Sequence, residues 1–137
     1  MSGREDIMDT ELFKQTVEFP EQLETAMEIE LPEIPTADKI CVCGMGTSAL
    51  AGEILADYTN NMSEKQLHVI RRTDFPKWVD ENTCIIVISY SGNTRETLLA
   101  YDEAVRKKCK VVCITSGGDL LTKCISRISE SSRIFEA

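Results

Sequence analysis

Ser89, Ser91, Asn93 and Thr94 crowd into one short stretch, Ser89-Tyr-Ser-Gly-Asn-Thr94, that carries no charged side chain. Hydroxyls at this density donate hydrogen bonds, and a helix starting behind them adds unpaired backbone N–H groups and the positive end of its dipole. That combination suits a phosphate. A second stretch, Gly44-Met-Gly-Thr-Ser48, has related chemistry. Gly44 and Gly46 allow a sharp turn and close approach of backbone to a ligand, and Thr47 and Ser48 add hydroxyls at a helix start. With Ala49, the same glycines also satisfy the G-x-G-x-x-A form of the dinucleotide fingerprint, a weak signal when it stands alone. Glu53 and Glu96 are the carboxylates nearest these loops in sequence. Either would have to stand within hydrogen-bond reach of a substrate proton to act as a base. Glu96 is more simply a first-turn helix residue and Glu53 a solvated rim group. His68, the one histidine, falls within a strand, where a structural role is expected.

The elements that must position these residues follow from the apolar pattern. Cys84–Ile88 is a continuous, mostly β-branched run, as in a strand buried on both faces. Asn93 is expected to cap the following helix, with Glu96 three residues on in a near capping box. Leu98, Leu99, Ala104 and Val105 would form that helix's buried face, to about Lys108. Lys39–Cys43 is a first strand, leading to a helix over Ala49–Tyr58 with Leu50, Ile54 and Leu55 on one face. Leu67–Ile70 is a second strand, with Arg71 and Arg72 at its C-terminal end and Phe75, Pro76 and Trp78 beyond, over the sheet edge. Lys110–Ile114 is a fourth strand, ending in Thr115-Ser-Gly-Gly118 before a last helix, Leu120 to about Ser129. This alternation predicts an α/β fold: a three-layer, doubly wound parallel sheet in flavodoxin-like order 2-1-3-4 with right-handed crossovers. Strands 1 and 3 are then neighbours at the switch point, so the two hydroxyl-rich loops meet at one crevice. No fifth strand is read after Gly117-Gly118. Lys110–Ile114 would be an open edge, covered by dimerisation or by the helical termini.

Ahead of the sheet, residues 9–30 read as helical, with Leu12, Phe13, Val17, Leu23 and Met27 at helical spacing and Phe19-Pro20 as a break. Leu31-Pro-Glu-Ile-Pro35 is a rigid link. The expected division is a helical segment over 1–37 and a sheet domain over 38–137. The formal net charge of −8 argues against a nucleic-acid partner. There is neither an apolar run of membrane-spanning length nor a signal peptide, and a cytoplasmic protein is expected. The six cysteines lack Cys-x-x-Cys spacing and read as reduced core residues rather than metal ligands. No metal or cofactor is expected.

Gly-Met-Gly-Thr-Ser-Ala at 44–49, Ser-Tyr-Ser-Gly-Asn-Thr at 89–94 and Ile-Thr-Ser-Gly-Gly at 114–118 resemble the sugar isomerase (SIS) domain. Phe19-Pro-Glu-Gln22, Arg72-Thr-Asp-Phe-Pro-Lys-Trp78 and Ser-Gly-Asn-Thr-Arg-Glu-Thr-Leu98 look more narrowly like the N-terminal half of bifunctional phosphoglucose/phosphomannose isomerases. The resemblance implies that Ser89, Ser91 and Thr94 bind a sugar phosphate, while Gly46, Thr47 and Ser48 face the sugar. Thr47 departs from the family, where another glycine is common. Family enzymes carry two SIS domains, and their glutamate base, ring-opening histidine and a further arginine lie beyond the segment matched here. The resemblance therefore implies a binding half that associates with a second SIS domain or a second copy.

Two rivals remain open on the residues alone. One is a sugar-phosphate-binding module that senses without converting. The other is an NADP-type domain with Gly44, Gly46 and Ala49 on pyrophosphate and Arg71 or Arg72 on a 2′-phosphate, which leaves Ser89–Thr94 unexplained.

Overall fold

The computed structural model describes residues 10–30, 35–127 and 132–136. The chain divides into two compact units, Met1–Glu33 and Ile34–Ala137. The first holds α1, Glu11–Met27. Thr10 caps it, its hydroxyl accepting a hydrogen bond from Phe13 N at 3.3 Å. The break expected at Phe19-Pro20 is absent: α1 runs through with Pro20 inside it. The link expected at Leu31–Pro35 lies, Pro35 excepted, outside the described residues.

The second unit is built on β1 (Lys39–Gly44), α2 (Gly46–Met62), β2 (Leu67–Ile70), β3 (Thr83–Ile88), α3 (Arg95–Arg106), β4 (Lys110–Thr115), α4 (Gly118–Ile125) and β5 (Ser132–Glu136). The strands form one parallel sheet in the order β2-β1-β3-β4-β5. The expected 2-1-3-4 arrangement is therefore present, and the expected absence of a fifth strand is corrected. Val111–Thr115 pairs with Ser132–Glu136, so β4 is an interior strand rather than an open edge. The short, half-polar sequence Ser-Arg-Ile-Phe-Glu gives no strand signal by itself. Its backbone groups gain ladder partners only because β4 lies alongside.

Side chains alternate across the sheet, which splits the core. Cys41, Cys43, Ile85, Val87, Val111 and Cys113 meet Ala100, Tyr101, Ala104, Leu120 and Cys124 of α3 and α4. On the opposite face Cys84 and Val112 pack with Ala37 and the partly buried Ile86. There α2 lies so close that a Cβ on Gly52 would sit 2.6 Å from Val42 Cγ1. That approach decides which face of α2 is buried: Ala49 and Gly52 face the sheet, whereas the apolar face is exposed, Leu50 49%, Ile54 65% and Leu55 45%. Tight helix–sheet packing selected the small side chains. In α3 the buried positions are Thr97, Ala100, Tyr101 and Ala104, with Leu98 and Val105 partly buried and Leu99 exposed. Phe75 joins the core, while Pro76 and Trp78 stay exposed.

All six cysteines are buried. Burial pushes the Cys41 thiol up to about 12 and those of Cys43 and Cys109 to about 11, so these remain protonated and behave as small apolar groups. Among the described residues no helix is long and apolar enough to cross a membrane.

Candidate functional site

The two hydroxyl-rich loops leave adjacent strand ends. Gly44 at the end of β1 is the register partner of Ile88 at the end of β3. A Cβ on Gly44 would press 3.2 Å from Ile88 O and from Ala49 N, so a side chain here would have to push α2 and β3 slightly apart. Gly46 turns the chain with φ +55°, and Met45 precedes α2 without any side-chain capping bond. Thr47 is exposed and Ser48 half-buried, with Ser48 N donating to Met45 O at 3.1 Å.

The 89–94 loop is built differently. Ser89 is buried; its N–H donates to Ile114 O at 3.0 Å, and its Oγ accepts from Gly92 N at 3.2 Å. The accepting role leaves the Ser89 hydroxyl proton available to donate. Ser91 is exposed and its Oγ accepts from Asn93 N at 3.3 Å. Thr94, not Asn93, is the N-cap of α3, with φ −65° and ψ 117°, and its side chain makes no capping bond. The expected capping role of Asn93 is thus corrected. Its Oδ1 accepts from Asp119 N at 3.0 Å, tying the loop sideways to α4 instead. An N-terminus without a side-chain cap leaves the first-turn donors of α3 to an external acceptor.

A third loop, Thr115–Gly118, braces the second. Tyr90 O accepts from Ser116 N at 3.1 Å and also from the Ser116 hydroxyl, and Gly92 O accepts from Leu120 N at 2.9 Å. The loops cross so closely that a Cβ on Gly92 would lie 1.8 Å from Gly117 O, and one on Gly118 would lie 2.4 Å from Ser91 O. Both glycines have positive φ, +66° and +70°. Sequence reasoning assigned no site role to this brace, although the Gly117-Gly118 pair was a visible signal for close backbone approach.

The other candidates are occupied or peripheral. Glu53 accepts two hydrogen bonds from Arg71, at 2.7 and 3.0 Å. Arg72 pairs with Asp74, and that hydrogen bond holds the Asp74 carboxyl below its ordinary value. Both arginines expected at the strand end therefore have carboxylate partners. Glu96 is an exposed first-turn residue of α3. His68 is exposed on β2 with its ring 4.8 Å from that of Trp78. The described residues contain no group of three or more His, Cys, Asp or Glu placed to hold a metal ion.

Comparison with known proteins bears on this geometry. The family model described as SIS domain matches residues 33–123. The bifunctional phosphoglucose/phosphomannose isomerase of Caldicellulosiruptor bescii is 36% identical over 114 residues, 80% of this chain and 34% of that protein. The enzyme of the same name from Thermoplasma volcanium is 46% identical over 83 residues, covering 61% of this chain and 26% of that protein. The chain thus spans about a third or less of the length of these relatives. Among solved structures, tagatose-6-phosphate ketose/aldose isomerase from Escherichia coli superposes with a TM-score of 0.60 at 21% identity, covering 88% of this chain and 33% of that one. At that identity the likeness concerns the fold.

Proposed function

The chain belongs to the SIS domain family, and on that premise we propose that the crevice between the 44–48 and 89–94 loops binds a phosphorylated hexose. One observation carries the reading: the α3 N-terminus lacks a side-chain cap just where Ser89, Ser91 and Thr94 gather. In this reading those hydroxyls and the first-turn N–H groups take the phosphate. Asn93 holds the loop in shape through Asp119. Gly44 and Gly46 let the neighbouring backbone approach, and Thr47 and Ser48 face the sugar.

The reaction we propose for the assembled enzyme is interconversion of glucose 6-phosphate or mannose 6-phosphate with fructose 6-phosphate. Such an isomerisation opens the ring and moves a proton between C2 and C1 through an enediolate. This unit contributes binding energy and orientation. The base and the ring-opening group come from a second SIS domain or a second copy of the chain, because Glu53 is held by Arg71 and no other carboxylate or imidazole stands among the loop residues. A cytoplasmic setting agrees with a core of protonated thiols. The sensing module remains the second reading, favoured by the same shortage of acid–base groups. The NADP reading ranks last, since Arg71 and Arg72 are already engaged with carboxylates.

Titration calorimetry with fructose 6-phosphate, and with NADP as control, tests the binding step. Heat with the sugar phosphate and none with NADP is expected; the reverse would overturn the assignment. A coupled assay of glucose 6-phosphate formation tests the division of labour. Each positioned acid–base group contributes roughly 10²–10⁴-fold, so the chain alone should turn over near background. Activity that appears on adding a second SIS domain would identify an enzyme half. Binding without such rescue would favour the sensing module.

A further inference from the structure

Behind the 115–118 brace, Cys113 on β4 and Cys124 in the last turn of α4 face each other. Neither has exposed surface, and their sulfurs stand 2.6 Å apart. That separation is inside the ordinary contact distance of two sulfurs and outside that of a bond. The contact is long-range only in a modest sense, eleven positions along the chain, but it joins a helix to the sheet. A disulfide is about 2.05 Å long, so bond formation requires closure by about half an ångström.

We propose that Cys113 and Cys124 form a reversible disulfide under peroxide, fastening α4 to β4. Cys124 lies on the helix that opens, so its sulfur is the one that meets solvent and supplies the thiolate nucleophile. Its sulfur attacks one oxygen of hydrogen peroxide, the O–O bond breaks, and the departing hydroxide takes a proton to leave as water. The resulting Cys124 sulfenic acid is attacked by the Cys113 sulfur; the S–S bond forms, the S–O bond breaks, and the Cys113 proton leaves with hydroxide as a second water. Two thiols lose two electrons in all, and one peroxide gains them. Access comes from transient opening of α4, a helix of only 8 residues.

The position gives the bond a consequence. The N-terminal turn of α4 is hydrogen-bonded to the 89–94 loop through Leu120 N to Gly92 O and Asp119 N to Asn93 Oδ1. Pinning the other end of this helix suppresses the opening that would release that loop.

Peptide mapping of the whole wild-type chain tests the proposal and needs no variant. The protein is treated with hydrogen peroxide at neutral pH, remaining thiols are alkylated under denaturing conditions, and trypsin digestion follows. Expected is a linked pair, Val111–Lys123 joined to Cys124–Arg127, lighter by two hydrogens than the separate peptides and released by dithiothreitol. Amide exchange over residues 120–125 should slow by roughly tenfold or more on oxidation, the scale of a short-loop cross-link. Cys124→Ser should abolish the linked pair. Recovery of both cysteines as alkylated thiols while methionines elsewhere are already oxidised would overturn the proposal, as would preferential linkage of either cysteine to another partner.

Discussion

The loops after β1 and β3 are chemically similar in sequence and physically unlike in the fold. The first is tight at Gly44 and open at Gly46, where an added Cβ would meet nothing within 4 Å. The second is fixed on several sides, by Ile114, Ser116, Asp119 and Leu120. A loop whose backbone is already held loses little freedom when an anion arrives. In the proposed reading the braced loop takes the phosphate, and the loop after β1 takes the sugar carbons.

Substitutions can break or sharpen that contrast, beginning with the largest effect. Gly92→Ala forces a Cβ to 1.8 Å from Gly117 O at a residue with φ +66°. Backbone strain and overpacking should together cost about 3 kcal/mol or more of stability. Denaturant unfolding reads this directly, and a midpoint equal to wild type would mean that the two loops do not cross as described.

Next in size is ligand affinity. Ser91→Ala or Thr94→Ala should each cost roughly 1.5–3 kcal/mol of sugar-phosphate binding, because each removes a bond to a charged acceptor. Thr47→Ala, on the open loop, should cost less, about 0.5–1.5 kcal/mol, as a neutral hydrogen bond would. Calorimetry across the three variants ranks them; a larger loss at Thr47 would reverse the assignment of phosphate and sugar ends.

Gly46→Ala provides the counterpart to Gly92→Ala. It meets strain from φ +55° but no clash. A stability loss of about 1–2 kcal/mol is expected. Losses of equal size at Gly46 and Gly92 in parallel urea titrations would remove the distinction between an open and a braced loop.

The smallest effect lies under the braced loop. Thr97 is buried in the first turn of α3, and its hydroxyl has no hydrogen-bond partner among the described residues. Thr97→Val keeps the shape and deletes the unpaired group, so stability should stay within about 0.5 kcal/mol of wild type or rise. A thermal melt showing a clear loss would reveal a partner for that hydroxyl.

Much of this was legible beforehand because it is written locally. The runs Lys39–Cys43, Cys84–Ile88 and Lys110–Ile114 are long enough in β-branched and apolar residues to declare strands without any neighbour. The intervening helices then force parallel pairing and the switch point. That alone brought Gly44–Ser48 beside Ser89–Thr94, as the Gly44–Ile88 register records. Cysteine spacing likewise indicated core residues, and all six are buried.

Only the tertiary structure decided which groups answer to distant ones. Ser132–Glu136 is a strand because β4 offers it a ladder, not because of its own composition. Asn93 has the right chemistry for a cap, yet the Asp119 N–H outcompetes its own helix for that oxygen. Leu50, Ile54 and Leu55 make the stronger apolar stripe on α2, but Ala49 and Gly52 face the sheet because small side chains permit the closest approach. The meeting of Cys113 with Cys124 follows from how α4 lies on β4, which no spacing encodes. Local propensity fixes what a segment can become, while packing and hydrogen-bond competition between remote segments fix which option is realised.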